Sequence, residues 1–222
     1  MRPIPRFMFF TAALVGATSA AAPARVHPHV FAEARLDVTV TPEGTVGALR
    51  HLWRFDDLFS STVLVEFDRN QDLELDDAER AEVAGTVFAS LAEFNYFQVV
   101  TANGKDVAMQ PPERLIVDYQ DDQLIILFEA QPKEALPLAG RLAFGIYDPT
   151  FYTAIDFVED ENMAVENMPA ACARAVVRPD PDEALAQNQA SLTEDFFNQP
   201  GGNDMSKLFA TRLELTCAAA NG

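Results

Sequence analysis

"ARLDVTVTPEGTVGALRHLWRF", residues 34–55, alternates apolar and polar side chains on both sides of a Pro-Glu-Gly turn. Leu36, Val38 and Val40 fall on one face. A period of two marks half-buried strands, and the turn residues between them mark a hairpin. The same pattern recurs downstream. "FQVVTANGKDVAM" carries Asn103-Gly104 between β-rich flanks, and "RLIVDYQDDQLIILFEA" repeats the design around Asp121-Asp122. Such dipeptides suit the tight turns that join paired strands. "RLAFGIYDPTFYTAIDFV" supplies two more apolar runs, and "ARAVVRP" and "ATRLELTCA" read as late strands.

One block breaks the alternation. In "DDAERAEVAGTVFASLAEF", Val83, Val87, Leu91 and Phe94 recur at helical spacing. Asp76 or Asp77 can cap its start. The preceding "DDLFSSTVLVEF" places Phe59, Val63 and Phe67 on a helical stripe. A further helix is expected within "DEALAQNQASLTEDFF", on an excursion between late strands. The expected fold is mainly β (α+β): an antiparallel β sandwich with an EF-hand-like helix-loop-helix insertion over about residues 57–97.

The chain's 222 residues begin with Arg2 and Arg6, then the apolar run Phe7 to Val15, then "GATSAAAPA". Basic, apolar and small segments in that order predict a signal peptide over residues 1–24, leaving 25–222 as one sandwich domain. The formal charge is -18. Loss of two arginines with the leader takes it to about -20. That excess argues against nucleic acid, whose phosphates would be repelled. Cys172 and Cys217 are the two cysteines. In an exported chain a distant pair reads as a disulfide. No G-x-S-x-G or H-E-x-x-H motif occurs, so no enzyme is expected.

Two stretches can bind cations. In "DRNQDLELDDAE", residues 68–79, Asp68, Asn70, Asp72, Glu74, Asp76 and Glu79 occupy positions 1, 3, 5, 7, 9 and 12 of an EF-hand-like loop. Ca²⁺ takes six to eight hard oxygens, which such a loop converges. Leu75 is the apolar residue between the ligands. Leu73 stands where glycine is expected, at a turn that needs φ above zero. The alternative is a solvated acidic turn that caps a helix.

The second stretch is "HPHVF". His27 and His29 flank a proline that keeps the backbone extended, so both imidazoles can lie on one side. Imidazole suits Zn²⁺, Ni²⁺, Co²⁺ and Cu²⁺. His51 could add a third nitrogen, and Asp56 or Asp148 a carboxylate. Cleavage after Ala24 would also leave histidine third in the mature chain, an end able to wrap Cu²⁺ or Ni²⁺. The bland alternative is a pair of exposed histidines leading into a strand.

With "HPHVF", "LWRFDDLFS", "FDRNQDLELDDAE" and "YDPTFY" in that order, the chain resembles a family of secreted bacterial proteins of uncharacterised function. That family is labelled the periplasmic component of an unassigned ABC-type transport system, and its members often sit beside nickel/cobalt-type permeases. The resemblance implies divalent-metal handling in the periplasm and an inner-membrane metal permease or ABC-type transporter as partner, with the chain itself not embedded in the membrane. It points to His27 and His29 as ligands, with Asp148 and Tyr152 nearby; the alternative for those two is structural, an Asp-Pro turn with an aromatic packed on the sheet.

Overall fold

The computed structural model describes residues 28–188 and 204–218. Strands β1 (Val30–Val40) and β2 (Thr45–Phe55) form the expected antiparallel hairpin. Its turn closes through Gly44, whose N–H donates to the Thr41 carbonyl at 3.0 Å with φ of 76. Every even residue of β1 from Val30 to Val40 is buried.

The second strand does not keep one phase. Val38 lies opposite Leu49, but Val40 lies opposite Val46. This is a β-bulge, one extra residue on β2. Val46 and Ala48 are buried on one side of it; Leu49, His51, Trp53 and Phe55 are buried on the other. Thr39 fastens the bulge, its hydroxyl accepting from the Ala48 N–H at 2.8 Å. A Cβ at Gly47 would meet that hydroxyl at 2.9 Å, so any larger residue would have to displace the Thr39 side chain. A change of phase exchanges the two faces of all that follows. It carries His51 inward.

Helices α1 (Asp57–Phe67) and α2 (Asp77–Ala92) with the loop between them form the predicted helix–loop–helix. Asp56 caps α1 through the Phe59 N–H at 2.9 Å. Asp76 caps α2, and Glu79 returns a bond to the Asp76 N–H, completing a capping box. Val63, Phe67, Val83 and Leu91 are the buried stripe. A left-handed turn at Asn95, Tyr96 and Phe97, with φ of 52, 53 and 57, then leads back into strands.

Strands β3 (Gln98–Ala102) and β4 (Lys105–Asp106) pair across Asn103-Gly104. β5 (Leu115–Gln120) and β6 (Gln123–Ala130) pair across Asp121-Asp122. All four turn residues have positive φ, as two-residue hairpins of right-handed twist require. α1 packs on β6 and α2 on β5. The later strands are β7 (Leu136–Pro137), β8 (Gly140–Ile146), β9 (Thr153–Asp156) and β10 (Met163–Glu166). β11 (Cys172–Val177) and β12 (Arg212–Cys217) close the set.

Two mainly antiparallel sheets result. One runs β10-β1-β2-β6-β5, with β7 on β2 and β9 on β1; the other runs β11-β12-β8-β3-β4. Departing from the antiparallel expectation, β9 and β10 run parallel to β1. Leu36, Trp53 and Ile126 of the first sheet and Leu142, Phe144 and Leu215 of the second are almost fully buried. Each contributes about 1.5–3 kcal/mol by leaving water. Cys172 and Cys217 face each other across β11 and β12 and are bonded at 2.03 Å. Such a bond typically contributes about 2–4 kcal/mol. The helix expected near the end is α3 (Pro181–Asn188); the remainder of that stretch, 189–203, and the predicted leader lie outside the described residues. No helix among those described is long and apolar enough to cross a membrane.

Candidate metal sites

The acidic loop begins where α1 ends, because Asp68 is that helix's C-cap. One Asp68 oxygen accepts the N–H of Gln71 at 2.6 Å and of Asp72 at 3.3 Å. The other accepts the Leu73 N–H at 2.9 Å. Asn70 and Asp72 each accept from the backbone two residues on, at 2.9 and 3.0 Å. Leu73 has φ of 67, the left-handed turn that its place in the loop demands. A side chain with a Cβ costs about 1–2 kcal/mol there. At 73% exposure it gains nothing from packing.

Glu79 is the buried member, 4% exposed. Its two oxygens accept the N–H groups of Arg69 at 2.7 Å and Asp76 at 2.8 Å, tying both ends of the loop together. Leu75, 3% exposed, pins the loop's middle to the core. Glu74 remains exposed. The oxygens are therefore turned on the loop's own amides.

The second candidate lies at the start of β1. His29 donates its backbone N–H to the Tyr152 carbonyl at 2.8 Å, and the two rings stand 5.1 Å apart. His29 is exposed and Tyr152 half exposed. Asp148 organises the connection from β8 to β9. One of its oxygens takes the Thr150 N–H and hydroxyl at 2.7 and 2.6 Å, the other the Thr153 N–H at 2.9 Å. That buried carboxylate thus shapes the turn that presents Tyr152, and the Asp-Pro segment has a structural task. Asp56 does similar work, accepting the Phe31 N–H at 2.8 Å while capping α1. His27 lies outside the described residues.

His51 does not join this corner. It lies opposite Leu36, seven residues beyond His29 along β1, or about 20 Å at the rise of a strand. Its ring is buried, stacked on Phe128 at 4.3 Å and edge-on to Trp53. Burial pushes its pKa down to about 3, a fall that Gln98 opposes only in part. Neither ring nitrogen has a hydrogen-bond partner of normal geometry within the described protein. The expectation of a third imidazole fails on geometry: the hairpin register sets His51 far along the strand from His29, and the bulge in β2 turns its ring into the core. Among the described residues, no three His, Cys, Asp or Glu side chains gather as a ready metal-binding group.

Sequence reasoning also passed over Phe31 and Leu58, which are 55% and 74% exposed beside this corner. The signal for Phe31 was present: it lies two residues from His29, hence on the same side of a strand.

Comparison with curated proteins yields no match. The family model described as "Protein of unknown function (DUF1007)" matches residues 10–217. With that match spanning nearly all of the chain, the protein belongs to the DUF1007 family of unknown function.

Proposed function

We propose that the chain is a periplasmic divalent-metal-binding accessory protein that works with a membrane metal transport system. The observation that carries this reading is His29, exposed at the very start of β1 and held there by Tyr152 through a main-chain bond and a ring contact. A donor at a solvent-facing strand end can receive an ion and release it, which suits delivery better than permanent storage. His27, two residues before, supplies the second imidazole, and imidazole pairs suit Zn²⁺, Ni²⁺, Co²⁺ or Cu²⁺. The disulfide is consistent with an oxidising compartment such as the periplasm. Calorimetry with Zn²⁺ and Ni²⁺ tests the reading. His27→Ala with His29→Ala is expected to abolish binding; unchanged titrations would end it.

A second reading has its own support. Asp68 accepts three backbone amides and Leu73 adopts φ of 67, the backbone habit of a cation-binding loop. In that reading Ca²⁺ staples the helix–loop–helix to the sandwich, and the protein is an extracytoplasmic interaction module without a transition-metal role. Extracellular modules bind Ca²⁺ at about 10⁻⁴ to 10⁻³ M. Thermal melts with and without millimolar Ca²⁺ test it. Wild type should gain stability and Glu79→Gln should not.

A further inference from the structure

The solvent face of β1 carries Phe31 and Glu33 directly after His29. In register beside them, β9 presents Ala154 and Asp156, while β2 presents Arg54 opposite Glu33. The first turn of α1 adds Asp57 and Leu58. These groups line one open cleft of about 560 Å³.

Two features of the cleft call for an occupant. Phe31 and Leu58 are large apolar side chains left 55% and 74% exposed. Single exposed apolar residues are ordinary, but two sharing a concave surface mark a contact site. The charge is also one-sided. Glu33, Asp56, Asp57 and Asp156 face Arg54 as the single cation of the lining, and Arg54 is engaged by Gln123 at 3.2 Å. Asp56 is committed to backbone N–H groups and Asp57 accepts from Gln123. Glu33 has no ion pair among the described residues, and the cation nearest Asp156 is Arg178 at 4.0 Å.

We propose that this cleft docks an apolar, cationic segment of a partner protein. A leucine- or phenylalanine-sized side chain lies between Phe31 and Leu58, and flanking lysine or arginine reaches Glu33, Asp57 and Asp156. A second copy of this chain is the poorer occupant, because two bodies of charge -18 repel one another. The cleft's place, two residues from His29, gives the docking a purpose that rests on the metal reading: the partner's donors arrive where the ion is held.

The test uses the chain as exported, without its expected leader, and a short fluorescent peptide of alternating lysine and leucine, read by anisotropy. Saturable binding is expected, weakening with salt as exposed charges are screened. Phe31→Ser with Leu58→Ser should weaken it roughly tenfold or more, as loss of a contact centre does. The separate variant Glu33→Gln, Asp57→Asn, Asp156→Asn should do the same. Leu73→Ser removes an equally exposed leucine among other carboxylates and should change nothing. The proposal is overturned if the cleft variants bind as wild type does, if Leu73→Ser weakens binding equally, or if a lysine–serine peptide binds as well. A wild-type dimer in sedimentation that Phe31→Ser and Leu58→Ser dissolve would replace the partner with a second copy, and also overturns it. Zn²⁺ calorimetry on wild type separates the two readings. Peptide binding without Zn²⁺ binding sinks the metal reading and leaves the docking surface standing; the reverse sinks the docking surface.

Discussion

The acidic loop and the corner at His29 are both rich in potential ligands, yet they use their polar atoms in opposite ways. In the loop, Asp68, Asn70, Asp72 and Glu79 turn inward and accept backbone amides. At the corner, the carboxylates Asp56 and Asp148 take the structural work, and His29 is left on the surface. Backbone N–H groups must be satisfied wherever the chain turns away from regular structure. A region that assigns this to acids can keep its imidazole at the surface. The loop's acids bind its own backbone; at the corner the histidine stands exposed beside acids that do so.

The comparison breaks most visibly if the third histidine proves not to be buried and neutral. The folded pKa of His51, about 3, lies below its unfolded value of 6.5. The unfolded chain therefore binds a proton first, and stability present above pH 6.5 is lost as pH falls toward 3. At roughly 1.4 kcal/mol per unit, about 3 kcal/mol should go between pH 6.5 and 4. Urea melts across that range should find His51→Phe flatter than wild type by this amount. Equal slopes would mean that the ring is accessible.

Next in size is Glu79→Ala. It removes the acceptor for the Arg69 and Asp76 amides, and should cost about 2 kcal/mol at neutral pH without added metal. A neutral result in urea melts would show that the loop does not depend on its own oxygens. Leu73→Gly should act in the opposite sense. Relief of the left-handed strain, less the entropy of a glycine, predicts a gain of about 0.5–1 kcal/mol. Smallest of all is His29→Ala, expected to shift stability by less than about 0.5 kcal/mol, as surface substitutions do. The same variant should abolish Zn²⁺ binding in calorimetry. A large stability loss there would make His29 structural and erase the contrast with the loop.

Much of the architecture was legible because its elements obey short periods. Residues 34–40 and 49–55 alternate, the helical stripes Val63/Phe67 and Val83/Val87/Leu91 recur every four, and Asn103-Gly104 and Asp121-Asp122 are local turns. What escaped depends on contacts between distant segments. The parallel pairing of Met163–Glu166 with β1 leaves no mark on a four-residue strand. The bulge at Gly47 shifts phase by one, and Gly47 alone does not announce it. That single shift turns His51 into the core, while its distance from His29 is set by the hairpin register. At the candidate site, Tyr152 was expected near the histidines, and the structure places it against His29. An Asp-Pro turn at Asp148 could be read locally, since its partners Thr150 and Thr153 are two and five residues on; the bond of Asp56 to the Phe31 amide could not, because those residues are 25 apart.

Helix α1 is pinned at each end by an aspartate. Asp56 ties its start to Phe31, and Asp68 both caps its end and gathers the acidic loop. Eleven residues span about 16 Å. The loop and the mouth of the cleft thus share one helix, fixed to β6 where the fully buried Ser60 accepts the Leu124 N–H at 2.9 Å.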